Sequence, residues 1–270
     1  MRIAVCGFGM MGRVAAACLA EAGHKVLVWH PDVEPPACSE KNIPDSNWVP
    51  ALSPKVAVDG AAAIWLAFDT PLGEKADTEI VFKWADKVLA EASTGQVVLV
   101  SSQLPVGSVR KMADKYTHLK FFCSPENLRT GTAVENFKNP GRVIIGTPDY
   151  PNEVIGSIFA PFCKNIFWTT IESAEFVKHA LNITLASQIA VTNELGQIAI
   201  KHGANPAAVE HALRTDERIG AKGYYSYGKG GLGPHLSRDV AYLLEMAPEA
   251  HCVRGIQRAN EDWETANGRS

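Results

Sequence analysis

The chemistry readable in this chain concentrates at two places. The first is Gly7-Phe8-Gly9-Met10-Met11-Gly12, a Gly-x-Gly-x-x-Gly run near the start. In such a run the first glycine permits a tight turn, the second lets backbone approach a pyrophosphate, and the third allows close helix–strand packing. A helix opening there offers unpaired N–H groups and the positive end of its dipole to the anion. The second place holds Lys178 and Asn182, four residues apart and therefore on one face if the segment is helical. Hydride transfer needs a group that takes or gives the hydroxyl proton, and a lysine steadied by a neighbouring amide can do this.

The flanking elements are those each place requires. Arg2 to Cys6 is a short apolar run before the glycines, Met10 to Ala22 is rich in Ala, Leu and Val, Gly23 is a stop, and Lys25 to Trp29 is a second apolar run. This predicts a βαβ unit within about thirty residues and a parallel sheet. Residues 31–54 hold six prolines and are expected to be irregular. Further strands are expected at Ala63–Ala67, Val97–Ser101, Leu119–Cys123, Val143–Gly146 and Asn165–Trp168, with helices at Thr78–Ala92, Gly107–Tyr116 and Pro151–Phe159. The alternation predicts a doubly wound α/β Rossmann domain over residues 1–170.

From Ser173 to His202 apolar residues recur at helical spacing, which predicts one long helix ended by Gly203. Pro206–Leu213 reads as a short helix, Gly220–Gly233 as a glycine-rich loop, and Ser237–Glu245 and Cys252–Glu264 as closing helices. Residues 171–270 are thus expected to form a smaller all-α substrate and dimerisation domain. The long helix is too apolar to be covered by the few residues C-terminal to it, so a homodimer through 173–202 is expected.

NAD is the expected cofactor, with NADP the open alternative. The second strand ends Trp29-His30-Pro31-Asp32, so His30 takes the place of the acidic residue that ordinarily holds the ribose hydroxyls, and Asp32 comes two residues late. No Arg or Lys is near in sequence to hold a 2′-phosphate.

The chain has 270 residues, 46% hydrophobic and 20% charged, with a formal net charge of −3. That balance suits packed cores and gives no electrostatic footprint for nucleic acid or an anionic membrane. The apolar run Ile3–Val5 is too short for a signal-peptide core or a spanning helix. The six cysteines are scattered, without a Cys-x-x-Cys pair or zinc spacing, so free thiols, no metal and a cytoplasmic location are expected.

Several ordered segments add to this reading: Thr70-Pro71, Ser101-Ser-Gln-Leu-Pro105-Val-Gly107, Ser124-Pro-Glu-Asn-Leu-Arg129-Thr-Gly131-Thr-Ala-Val-Glu135, Asn139-Pro-Gly-Arg142-Val-Ile-Ile-Gly146, the Lys178/Asn182 segment with Asn193-Glu194, Asp216-Glu-Arg218-Ile-Gly220, and Gly230 to Asp239. Over nearly its whole length the chain resembles the UDP-glucose/GDP-mannose 6-dehydrogenase family. The resemblance implies cofactor contacts at Thr70, Pro71 and Ser102, and a substrate- or water-activating carboxylate at Glu126. It implies stabilisation of the developing oxyanion by Lys178 and Asn182, and support of water activation by Asp239. Substrate contacts fall on Leu128, Arg129 and Gly230, with Arg218 reaching across a dimer interface.

The family loop reads approximately Gly-aromatic-Gly-Gly-Ser-Cys-Phe-Pro-Lys-Asp, and its cysteine carries the aldehyde to a second oxidation. Here His235 stands at that place, and imidazole cannot form a hydride-donating thiohemiacetal. Gln103-Leu104 also replaces Thr-Val of the family's Ser-Thr-Val-Pro. The expectation is a form without the catalytic cysteine and the final nucleotide-binding domain, performing one two-electron alcohol oxidation, or its reverse, on a nucleotide sugar, nucleoside or related polar metabolite. Lys178 would accept the proton and His235 would serve as acid/base or substrate ligand. The alternatives are a β-hydroxyacid dehydrogenase acting on a small carboxylate and a non-catalytic NAD-binding protein.

Overall fold

Strand β1 (Arg2–Cys6) runs through the glycine turn into α1 (Met10–Glu21), and Gly23, at φ +86°, turns the chain into β2 (Lys25–Trp29). The structure is a computed structural model and describes every residue except 33–39, 41, 45, 72–75, 126–127, 149–150, 221, 225 and 269–270. Next come β3 (Val49–Pro50), α2 (Pro54–Val58), β4 (Ala63–Leu66), α3 (Thr78–Leu89), β5 (Val97–Val100), α4 (Ser108–Lys115), β6 (Lys120–Cys123), α5 (Ala133–Lys138), β7 (Val143–Gly146), α6 (Glu153–Phe159) and β8 (Ile166–Thr169). They build one eight-stranded sheet in the order β3-β2-β1-β4-β5-β6-β7-β8.

The strands alternate their contacts between two buried clusters, as a period of two requires. Ile3, Val5 and Trp65 face one side with Val14, Leu19, Ile155 and Phe159, while Ala4, Cys6, Ile64 and Leu66 face the other with Leu89, Val109 and Met112. Helices therefore cover both faces, as a parallel sheet demands.

The expected parallel sheet needs one correction: β7 meets β6 antiparallel, at the single pair Cys123↔Gly146. Among its described residues, the link between them contains only the six-residue α5, which packs on α1 instead of carrying the chain back across the sheet. The proline-rich stretch is not wholly irregular either. Val49 and Pro50 pair with β2 as an edge strand, a position where proline's missing N–H costs no ladder bond.

Helix α7 (Ile171–Lys201) is continuous for 31 residues. Its first turns pack on the sheet, with Ile171 and Ala174 fully buried. The Glu175 carboxylate accepts from the N–H groups of Gly107 (2.7 Å) and Val109 (2.9 Å), holding the start of α4. The chain accordingly divides into compact units Met1–Lys178 and His179–Ser270, two turns beyond the junction of β8 and α7.

The second unit comprises the rest of α7 with α8 (Pro206–Thr215), α9 (Pro234–Met246) and α10 (His251–Ala266). Gly203, at φ +75°, ends α7, and the Asn205 side chain caps α8. A small core of Ala186, Leu232 and Val240 is flanked by Ile183, Leu236, Leu244 and Ile256. Helix α9 starts three residues before the expected Ser237, because Pro234 sits in its first turn, where a preset φ favours helix. No helix among the described residues is long and apolar enough to cross a membrane.

Candidate active site

The glycine turn lies between β1 and β4, where the strand order reverses and open α/β sheets bind ligands at the carboxyl ends of their strands. Gly7 has φ +109°, and its N–H donates to Trp29 O at 2.9 Å. A Cβ on Gly7 would run into the Ala67–Phe68 peptide, and one on Gly12 into the Gly7 carbonyl. Helix α1 begins with Gly9 as a cap that offers no side chain, and no acidic residue stands in its first turn. Its leading N–H groups and positive end suit an incoming anion, so these residues fit a dinucleotide pyrophosphate. Between the glycines, Phe8 and Met11 are buried in the core and Met10 packs against it, so they support the turn through packing.

Phe8 stacks edge-on with Trp48 at 4.7 Å, and the Arg13 guanidinium lies 4.4 Å from the Phe8 ring centroid while Nε donates to Phe8 O. His30 Nδ1 accepts from the Asp32 N–H at 3.2 Å, which places the ring proton on Nε2 in the neutral form. Burial pushes the His30 pKa below its ordinary value against the pull of Asp32, and Arg13 pushes it further down. An arginine is therefore felt at the end of β2 after all. It comes from α1 rather than from the following loop, which is why reading along the sequence overlooked it.

Thr70 is buried, and its Oγ1 donates to Gln103 O, joining the ends of β4 and β5. Pro71 is exposed beside it. Ser102 has a buried Oγ with no hydrogen-bond partner among the described residues and lines a small apolar cavity with Phe68, Phe82 and Met112. Leu128 packs on the first core cluster and Arg129 is exposed. Glu126 lies outside the described residues.

In the second unit, folding joins two of the expected site residues to one that was not anticipated. Asp239 is 1% exposed; its Oδ2 accepts from Asn182 Nδ2 at 2.7 Å, and its Oδ1 accepts from His179 Nδ1–H at 2.5 Å. Arg238, also buried, brings Nη2 to 3.6 Å from Oδ2. Burial opposes ionisation of Asp239, but the hydrogen bonds from His179 and Asn182 and the nearby positive charge outweigh it and hold the carboxyl below the usual aspartate range. The Tyr242 ring meets His179 edge-on, and burial pushes its phenol up to about 12. A carboxylate enclosed in this way can fix the orientation of the Asn182 amide. His179 adjoins Lys178 in sequence, and its one available signal was the three-residue spacing to Asn182, which puts both on one helical face.

The glycine-rich loop is clasped by α7: Asn193 Nδ2 donates to Gly230 O at 3.0 Å, and Gln188 Oε1 accepts from the Tyr224 N–H at 3.0 Å. His235 is exposed in the first turn of α9, one turn before the buried Asp239. Arg218 folds back on Asp216 in a bidentate pair, with bonds of 2.9 and 2.6 Å. Lys178 is half-buried on α7, one turn from Asn182.

Comparison with known proteins finds relatives for both units. The NAD binding domain of the UDP-glucose/GDP-mannose dehydrogenase family matches residues 37–163, and the central domain of the same family matches residues 172–264. The UDP-glucose 6-dehydrogenase TuaD of Bacillus subtilis is 29% identical over 92% of this chain, which spans 59% of that relative's length. The structure of a UDP-glucose dehydrogenase from Pyrobaculum islandicum superposes with a TM-score of 0.85 at 25% identity, over 96% of this chain and 68% of that one. The fold alone is shared with a Mycobacterium tuberculosis 3-hydroxyisobutyrate dehydrogenase, at a TM-score of 0.72 and 15% identity over 99% of this chain and 94% of that one. With both of its units matched in order, the chain belongs to the UDP-glucose/GDP-mannose dehydrogenase family, and its first unit carries that family's NAD binding domain.

Proposed function

We propose that the chain is an NAD-dependent dehydrogenase that oxidises one alcohol carbon of a nucleotide sugar, nucleoside or related polar metabolite in a single two-electron step, or runs that step in reverse. The observation that carries this reading is the fixed Asn182 amide, held by buried Asp239 one helical turn from Lys178. Bound NAD supplies the hydride acceptor. Lys178 Nζ takes the hydroxyl proton as the C–H pair leaves and the C=O forms, and Asn182 steadies the oxygen where charge develops. Glu126, Leu128, Arg129, Arg218 and Gly230 are assigned to substrate, with His235 as its acid/base or binding group.

The limit to one step follows from chemistry at the loop. A second oxidation through a covalent adduct needs a thiolate, and the loop presents His235 instead. Homodimerisation through α7 is part of the proposal, supported by exposed Val191, Leu195 and Ile198 at helical spacing. A cytoplasmic setting is supported by the free cysteines.

The test supplies NAD or NADP with UDP-glucose, GDP-mannose and small hydroxy acids, counting reduced cofactor per product. One reduced cofactor per nucleotide-sugar product is expected. Two per product, with an acid formed, overturns the single step. Turnover confined to hydroxy acids moves the chain to the β-hydroxyacid reading, and NAD binding without turnover makes it a non-catalytic binder. Lys178→Ala should slow turnover at least ~100-fold and leave NAD affinity in place.

A further inference from the structure

The carboxylate of Asp69, three residues past the end of β4, lies directly on Gly9. All three atoms of its carboxyl group fall within the space a Cβ on Gly9 would occupy, the farthest, Oδ1, at 2.7 Å from that position. Gly9 is the residue across which a dinucleotide pyrophosphate approaches the main chain. It also caps α1, a helix whose own first turn supplies no acidic group, although an anion is favoured at such an end.

The main chain around Asp69 has little freedom to withdraw. The Ala67 N–H donates to Cys6 O at 2.7 Å, and Phe68 and Thr70 on either side are buried, with Thr70 bonded to Gln103 O. Asp69 itself is exposed, so only its side-chain torsions can carry the carboxylate out of the crevice.

We propose that Asp69 is a built-in anion that covers the pyrophosphate-binding turn and must swing aside when a dinucleotide binds, so that this one carboxylate sets the affinity of the site for NAD. The proposal rests on the reading of the glycine turn as the dinucleotide site. An incoming pyrophosphate brings two negative charges to the place one already holds. At this range like charges repel strongly even near a protein surface, and a group that must be displaced lowers apparent affinity by the fraction of molecules in which it is already out.

The experiment measures NAD binding calorimetrically on the full chain and on Asp69→Asn, Asp69→Gly and Asp69→Glu, with inorganic pyrophosphate as a second probe. Removing the charge should tighten NAD and pyrophosphate by about tenfold or more, a change of about 1.4 kcal/mol or more, whereas Asp69→Glu should stay near the parent. Melting temperatures without ligand should fall slightly in the Asn and Gly variants, since α1 loses its anion. Equal or weaker NAD binding by Asp69→Asn and Asp69→Gly, with the parent binding normally, overturns the proposal and makes Asp69 a ligand of the cofactor. If neither the parent nor any variant binds NAD, the dinucleotide reading falls and the proposal falls with it.

Discussion

Replacing Asp239 by asparagine tests the buried cluster of the second unit. The carboxylate accepts two hydrogen bonds, one on each oxygen, from His179 and Asn182, and it is the acidic partner of buried Arg238. An amide of the same shape offers one acceptor. Either His179 or Asn182 is then left facing a donor, and Arg238 loses its counter-charge. Each hydrogen bond to a charged group contributes about 1.5–3 kcal/mol, and removing one member of a buried pair costs about 3–5 kcal/mol because a charge stays behind. The two estimates describe overlapping losses, so about 3–5 kcal/mol is expected in total. Against the 5–14 kcal/mol or so that stabilises a unit of roughly ninety residues, this is a large fraction. Native-state hydrogen exchange at neutral pH reads it directly: protection should fall in α7 beyond residue 179 and in α9 and α10, while β1, β4 and β5 keep theirs. A loss below about 1 kcal/mol, or one shared equally with the first unit, would refute the claim that the cluster holds the second unit together. The acid limb gives a second check. The Asp239 pKa is lower in the folded state, so its contribution is fully present above the ordinary value of about 3.9 and disappears as pH falls through the folded value. The variant should lack that component of acid unfolding.

Three further outcomes are expected. Tyr242, neutral in the fold with its phenol pushed up to about 12 and its hydroxyl buried without a partner among the described residues, contributes stability that is full below pH about 10 and is lost as pH rises toward the folded value; Tyr242→Phe should remove this alkaline transition in circular dichroism and cost little at neutral pH. Gly196→Ala should lower the melting temperature, because the added Cβ would meet the Tyr227 ring, 2.6 Å from Cε2 and closer still to other ring atoms; overpacking at about 1–3 kcal/mol outweighs the roughly 1 kcal/mol gain in helix propensity, and a raised melting temperature would contradict this. Iodoacetamide should label exposed Cys252 well ahead of buried Cys6, Cys18 and Cys123, whose thiols burial pushes up, and turnover should survive; activity lost in step with labelling would reinstate a catalytic thiol.

What could be seen in advance was local. The glycine turn was legible because its constraints act over a few residues: a positive φ at Gly7 and close approach at Gly12 leave no choice of residue. The long helix was legible because its period is repeated many times. The start of α9 was missed because a helix's first turn shows no periodicity, and Pro234 was the only mark of it. Helix α5 was missed because part of what fixes it is remote: Glu40 accepts from the N–H groups of Gly131 and Ala133, more than ninety residues away. The reversal at β7 was missed because strand direction depends on the path of the connection, which composition does not report.

The same distinction separates the parts of the candidate site. Asn182 and Asp239 were each marked by motif, but the contact between them changes what Asp239 can do. The family resemblance implies support of water activation there; the fold adds contacts with His179, Asn182 and Arg238 that can also aim the Asn182 amide. His235 moves the other way, from loop nucleophile position to an exposed first-turn side chain on α9. In both cases the burial of the side chain is not encoded at its own position. Two residues that no motif announced, His179 beside Asp239 and Asp69 beside Gly9, also bear on the proposed site. Each acts through a residue that a motif did announce, His179 through Asp239 and Asp69 through Gly9, so substitutions at these supporting positions should change affinity or stability before they change the reaction catalysed.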